Sequence, residues 1–151
     1  MGAYSFLDVQ AALEGPGGSF QLGSGSGNAE EGIVIEPAGD KNIMTVGADG
    51  SVMHSLRGDK SGTVTVTLLR TSPVNAQLQN LYNYQTGSSQ NHGRNTIAIR
   101  NAQSGDAVTC TQVAFAKMPS NPYAVDGGKL AWTFHAGQIS TVLGSGTPEI
   151  I

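Results

Sequence analysis

Chemistry needs side chains that can take a proton, attack or hold a metal, and in this sequence those groups are few and scattered. The histidines are His54, His92 and His135. An imidazole serves as a general base or zinc ligand when its spacing brings it to a partner, as in paired Cys/His motifs. These three lie far apart, so each reads as a solvated or hydrogen-bonded residue. The single cysteine, Cys110, allows no internal disulfide. It stands in a β-like stretch, where it reads as a small core residue.

Phosphate and acyl chemistry are no better served. Gly58-Asp59-Lys60-Ser61 lacks the upstream glycine and the Gly-Lys-Ser of a P-loop. The Gly/Ser tract at 23–27 fits neither a dinucleotide fingerprint nor a nucleophile elbow, and reads as a surface loop. Arg57-Gly58-Asp59 spells an adhesion tripeptide, a match short enough to arise by chance. Asp49-Gly50 lacks the alternating acidic ligands of a calcium loop and reads as a turn. The expectation is a non-enzyme with no catalytic residue, no cofactor and no metal.

The elements that would position any site are mostly strands. Leu7, Val9, Ala11 and Leu13 alternate with Phe6, Asp8, Gln10 and Ala12, which predicts a half-buried strand. Gly15-Pro16-Gly17-Gly18 turns it into a returning strand at 19–22. Residues 31–36 form a strand that Pro37 closes, and the β-branched run at 63–69 is the clearest strand in the chain. Ser72 then caps a helix whose first residue is Pro73. Its apolar stripe is Val74, Leu78, Leu81 and Tyr82, and Gly87 ends it in a left-handed cap. Strands follow at 96–100 and 107–117, with a loop at 119–128. Leu130, Trp132, Phe134 and Ala136 alternate along a last long strand, and 139–143 adds a short one. The whole, residues 1–151, reads as one mainly β (α+β) domain, a barrel or sandwich with a flanking helix.

The 151 residues are enough to bury a core without staples, but only 13% of them are charged and the net charge is −3. Ordinary soluble domains carry about 25% charge. Interface cores are depleted in charge in this way, whereas phosphate binding needs clustered Lys and Arg. The helix concentrates the effect. Opposite its apolar stripe lie Asn75, Gln79, Asn80 and Asn83, neutral amides that a partner can cover without desolvating charge. They are candidates for an inter-subunit face.

A second candidate surface is the segment at 38–61, too long for a plain connection in a compact domain. Ile43, Met44, Val46, Val52, Met53 and Leu56 are more apolar than a solvated loop needs. Gly47-Ala48-Asp49-Gly50 lets the segment fold out as an extended hairpin, and the two methionines suit an adaptable contact. No segment approaches the roughly 18 apolar residues of a membrane span, and the N-terminal residues show no signal pattern. The start Met1-Gly2-Ala3-Tyr4-Ser5-Phe6 puts Phe6 where myristoylation wants Ser or Thr. Assembly in a cytoplasm is expected.

Several stretches together resemble a known family. They are Tyr4-Ser5-Phe6-Leu7-Asp8-Val9, Asp40-Lys41-Asn42 with Met44-Thr45-Val46-Gly47-Ala48-Asp49-Gly50, and Met53-His54-Ser55. Lys60-Ser61-Gly62-Thr63-Val64-Thr65-Val66, Thr71-Ser72-Pro73-Val74-Asn75-Ala76-Gln77-Leu78 and Leu143-Gly144-Ser145-Gly146-Thr147-Pro148 complete the set. In this order they resemble tail tube subunits of contractile-tailed phages, which are similar to the inner tubes of type VI secretion systems and tailocins. The resemblance implies two packed antiparallel sheets closing toward a barrel, and six-membered rings stacked into a β-lined channel for DNA. It implies sheath, baseplate and terminator proteins as partners, a place in the virion, and a hairpin at 38–61 that reaches the next ring. Cationic walls would hold DNA, so the lumen is expected to be neutral to acidic, with Asp8, Glu14 and Asp106 as candidates for its acidic groups. Rival readings are a β-rich baseplate, fibre or surface-binding module, an enzyme using dispersed carboxylates, and a terminator or sheath-related protein. A surface-binding module would want clustered exposed aromatics, yet Trp132 sits in an alternating strand.

Overall fold

A computed structural model describes residues 3–144; residues 145–148 of the closing motif lie outside them. The chain begins with a short 3₁₀ turn, Phe6–Asp8, followed by β1 (Val9–Gly15), β2 (Gly18–Gln21) and β3 (Asn28–Pro37). Next come β4 (Asn42–Val46), β5 (Val52–Leu56), β6 (Gly62–Leu69) and the helix α1 (Val74–Gln85). β7 (Asn95–Asn101), β8 (Asp106–Lys117) and β9 (Lys129–Val142) follow within the described residues. Seven strands form one antiparallel sheet in the order β2-β1-β7-β8-β9-β6-β3, and among the described residues β4 and β5 pair only with each other.

The two faces that pack together belong to one continuous, curled sheet. Leu13 and Ile97 from its β1–β7 side join Val64, Val66, Trp132 and Phe134 from its β6–β9 side in a single core. Irregular register at three places helps the sheet bend: within β3, between β7 and β8, and between β8 and β9. An extra residue on one strand increases local bend and twist. At the second of these Gln112 takes φ +54, a left-handed conformation rare for a side chain of this kind. Gly137 lies opposite, where an added Cβ would stand 2.7 Å from Gln112 Oε1.

Register explains which side chains are inside. Val64, Val66 and Leu68 of β6 face Phe134, Trp132 and Leu130 of β9, and all six are buried. Phe115 packs between aromatic neighbours, 4.8 Å from Phe134 and 5.9 Å from Trp132 by ring centroids. The intervening residues point to the other face, where Thr67 alone of the β6 threonines is buried. Thr63, Thr65 and Thr67 pair with His135, Thr133 and Ala131, and Thr109 and Thr111 pair with Ser140 and Gln138. The outer face of the sheet is thus built largely of short, uncharged side chains.

Several local expectations need correction. Leu7 is not on the buried face of β1 but 82% exposed, because Ser5 Oγ accepts the Leu7 N–H and winds 6–8 into a 3₁₀ turn before the strand begins. The tract at 23–27 is not wholly on the surface: Gly23 and Ser26 are buried, and a Cβ on Gly23 would strike the β1 backbone at 2.6 Å. Gly87 does not end α1 with a left-handed cap. Thr86 closes the helix in the right-handed region, and positive φ comes later, at Gly93. Residues 139–142 are no separate strand; they prolong β9 along β8. Ser72 does meet the helix start, its Oγ accepting the Val74 N–H at 3.2 Å, with Pro73 at the cap position.

Candidate assembly surfaces

The segment at 38–61 carries the largest group of exposed apolar residues in regular elements, Ile43, Met44, Val46, Val52, Met53 and Leu56. Each residue of β4 and β5 is exposed. Strict pairing sorts the side chains onto two faces. Met44, Val46, Val52 and Leu56 share one face with Asn42 and His54; Ile43 and Met53 share the other with Thr45 and Ser55. The six candidates thus split four to two, and the ribbon is apolar on both sides. Five residues per strand extend it by about 17 Å.

Polar groups fix this ribbon at both ends. At the tip Gly50 adopts φ +89, Gly47 N donates to Ser51 O at 2.7 Å, and Ser51 N donates to Asp49 Oδ1 at 3.0 Å. Hydrogen bonding from Ser51 holds the Asp49 carboxyl below the usual carboxylate range. At the base Arg57 N donates to Lys41 O at 2.8 Å, and Lys41 Nζ donates to Arg57 O at 3.1 Å. Ser61 donates to Asp59 Oδ1 through both its hydroxyl, at 2.6 Å, and its amide, at 2.9 Å. Those bonds, with smaller help from Lys41 and Arg57, hold Asp59 below its ordinary value. The ribbon thus has ordered ends and apolar faces that the described residues leave exposed.

The amide face of α1 is only partly free. The helix has no acidic residue in its first turn and no basic residue in its last, and Asn80 and Asn83 are exposed. Gln79 Nε2 donates to Asn83 Oδ1 at 3.0 Å and to Met118 Sδ at 3.1 Å. Asn75 turns inward. Its Nδ2 donates to Leu69 O at 2.9 Å and its Oδ1 accepts from Trp132 Nε1 at 3.1 Å. That amide satisfies the indole of a buried tryptophan, so Asn75 serves its own core. Asn80 instead lines a groove with Gln77, Tyr84, Ser19 and Phe20, between α1 and the β1–β2 hairpin.

The three acidic candidates do not share a surface. Asp8 and Asp106 border one small cleft with Asn101 and Ser104, and Asp106 Oδ1 accepts the Gly144 N–H at 2.8 Å. Glu14 lies at the other end of β1, paired with Thr96 and Ser19, on the outer face of the sheet.

Two surfaces escaped sequence reasoning. β2 and β3 are the sheet's edge strands, each with one row of backbone groups open to a partner; edge position depends on strand order, which no local pattern reveals. The other is an apolar mouth of about 300 Å³ between β3 and the bottom of β1, β7 and β8. Ile33 and Ile35, legible only as strand residues, line it. Among the described residues no group of three or more His, Cys, Asp or Glu side chains could hold a metal, and burial raises the Cys110 thiol above its ordinary value.

No curated protein matches the chain. Among solved structures, the sheath-tube complex of the PVC extracellular contractile injection system in its extended state has a chain of similar fold, with TM-score 0.57 and 12% identity over 89% of this chain and 88% of that one. A chain of the sheath/tube terminator of the same system has TM-score 0.52 and 14% identity, over 88% and 93%. A chain of the anti-feeding prophage cap, described as a tube terminating cap, has TM-score 0.51 and 12% identity, over 89% and 88%. At such identities the likeness is one of fold. The family model of the bacteriophage PhiTE tail tube protein matches residues 1–144, and the chain belongs to that family of phage tail tube proteins.

Proposed function

We propose that this chain is a structural, non-enzymatic subunit that closes into six-membered rings and stacks them into the tail tube of a phage particle, through which DNA is ejected. The observation that carries the reading is the β4–β5 hairpin, a ribbon ordered at tip and base with Met44, Val46, Val52, Met53 and Leu56 each more than half exposed. Exposed apolar area of this kind marks an interaction surface, and a repeated contact of hairpin on neighbour stacks rings. The open edges β2 and β3 supply the second contact, since ring closure pairs edges that a monomer leaves bare. Asn80 and Asn83 add a neutral helix surface that a neighbour can cover.

The outer face of the sheet suits a DNA passage. Its short neutral side chains hold no phosphate and the acidic Glu14 repels it; Arg100 stands on the same face, and Lys41 and Lys60 border it beside Thr109 and Thr111, so its cations are few and dispersed. Asp8 and Asp106 belong to the end of the subunit rather than to this face. Sheath, baseplate and terminator proteins are the expected partners, in keeping with fold likeness to chains of a sheath-tube complex and its terminator. The tube is assembled in the host bacterial cytoplasm and ends in the virion. Sedimentation velocity across micromolar to millimolar concentration tests the reading. Rings or tubes should appear as concentration rises, whereas monomer alone throughout, in several salts, refutes it.

A further inference from the structure

The hairpin needs a receiving surface, and we propose that it is the apolar mouth of a second copy of the same chain. This rests on the stacking role proposed for the hairpin and names the surface it docks on. The mouth is an opening of about 300 Å³, room for two or three aliphatic side chains. Phe6, Val9, Ile33, Ile35, Ile99 and Val108 line it. It lies at the start of β1, while α1 covers the core at the other end, where Gln85 Nε2 donates to Pro16 O at 3.0 Å. The core is therefore closed at one end by the helix and open at the other.

Three features of the hairpin fit this opening. Val46 and Val52 stand opposite each other at its tip, on the same face as Met44, and present a compact aliphatic end. Every residue of β4 and β5 is exposed in its own chain, so their cover comes from another molecule. β3, which borders the mouth, is an edge strand, and among the described residues β4 and β5 pair only with each other. Both partners thus have backbone groups free to pair along the contact.

The geometry of growth follows. Hairpin and mouth are different surfaces of one chain, so each subunit that uses its hairpin still offers its mouth. Such a heterologous contact does not end with two copies but propagates, as a tube requires.

Disulfide trapping tests the docking. Val46→Cys and Tyr4→Cys chains are prepared separately and added together as minor components of an unaltered preparation. Tyr4 borders the mouth and is 74% exposed, so its replacement spares the fold, and Cys110 is fully buried and stays out of the reaction. Mild oxidation of pelleted tubes should yield a Val46→Cys to Tyr4→Cys linked dimer that neither variant forms alone. Pelleted tubes that contain both variants without this product would overturn the proposal. If those tubes are nevertheless lost when the hairpin is shortened, the stacking role stands and only the mouth as its receptor is refuted.

Discussion

Gln85 and Asn95 exchange two hydrogen bonds, each amide donating to the other's oxygen at 2.7 Å. Both residues are almost completely buried. Gln85 ends α1 and Asn95 begins β7, and Gln85 also donates to Pro16 O in the β1–β2 turn. One closed pair of amides thus ties the end of α1 and the start of β7 to the β1–β2 turn, 69 residues away in sequence. Replacing one member leaves buried polar atoms without a partner, so Gln85→Leu or Asn95→Ala should each destabilise the fold by about 1–3 kcal/mol. Urea denaturation measures this, and the double variant should lose clearly less than the sum of the two.

The helix should separate folding from assembly. Leu78 and Leu81 are buried in the core, and replacing either by Ala should cost about 2–5 kcal/mol. Asn80 is exposed, so Asn80→Lys should leave the unfolding midpoint unchanged and hinder ring formation. Tubes of normal yield from Asn80→Lys would place that face in solvent.

The hairpin base should respond to acid. Asp59 is held below its ordinary value mainly by hydrogen bonds from Ser61. A lowered folded-state value means that the carboxylate form is favoured by folding. Its contribution is present above the ordinary aspartate range and is lost as pH falls through the lowered value. NMR titration of the Asp59 carboxyl should show the low midpoint, and Ser61→Ala should move it upward. An unchanged midpoint in Ser61→Ala would assign the shift to some other group.

Positive charge on the outer face of the sheet should brake DNA before it harms folding. Glu14 is exposed there, so Glu14→Lys should leave tails intact in number and length while lowering infectivity. Unchanged genome delivery from such particles would show that wall charge at this position is unimportant.

Legibility in the sequence followed the range of the physics. β6, α1 and β9 could be read because periodic burial writes itself directly into Val64, Val66 and Leu68, into Val74, Leu78 and Leu81, and into Leu130, Trp132, Phe134 and Ala136. The hairpin strands were visible as apolar residues around a Gly-Ala-Asp-Gly turn. Leu7 misled because its alternation is in phase with β1, while one hydroxyl of Ser5 winds the chain into a turn. Asn75 looked like its amide neighbours because nothing local says that Trp132, far along the chain, needs an acceptor. The mouth and the open edges depend on strand order, a long-range property that periodicity does not carry.

If this chain builds a tube by stacking through the β4–β5 hairpin, a variant that lacks the hairpin should lose tubes and keep subunits, which electron microscopy distinguishes. Residues 41–59 are replaced by a short Gly/Ser turn, which removes β4 and β5 and leaves the seven-stranded sheet whole. Imaged beside the unaltered protein, which should give hollow tubes, the variant should give folded subunits and single rings. Tubes of normal length from the shortened chain would contradict the claim.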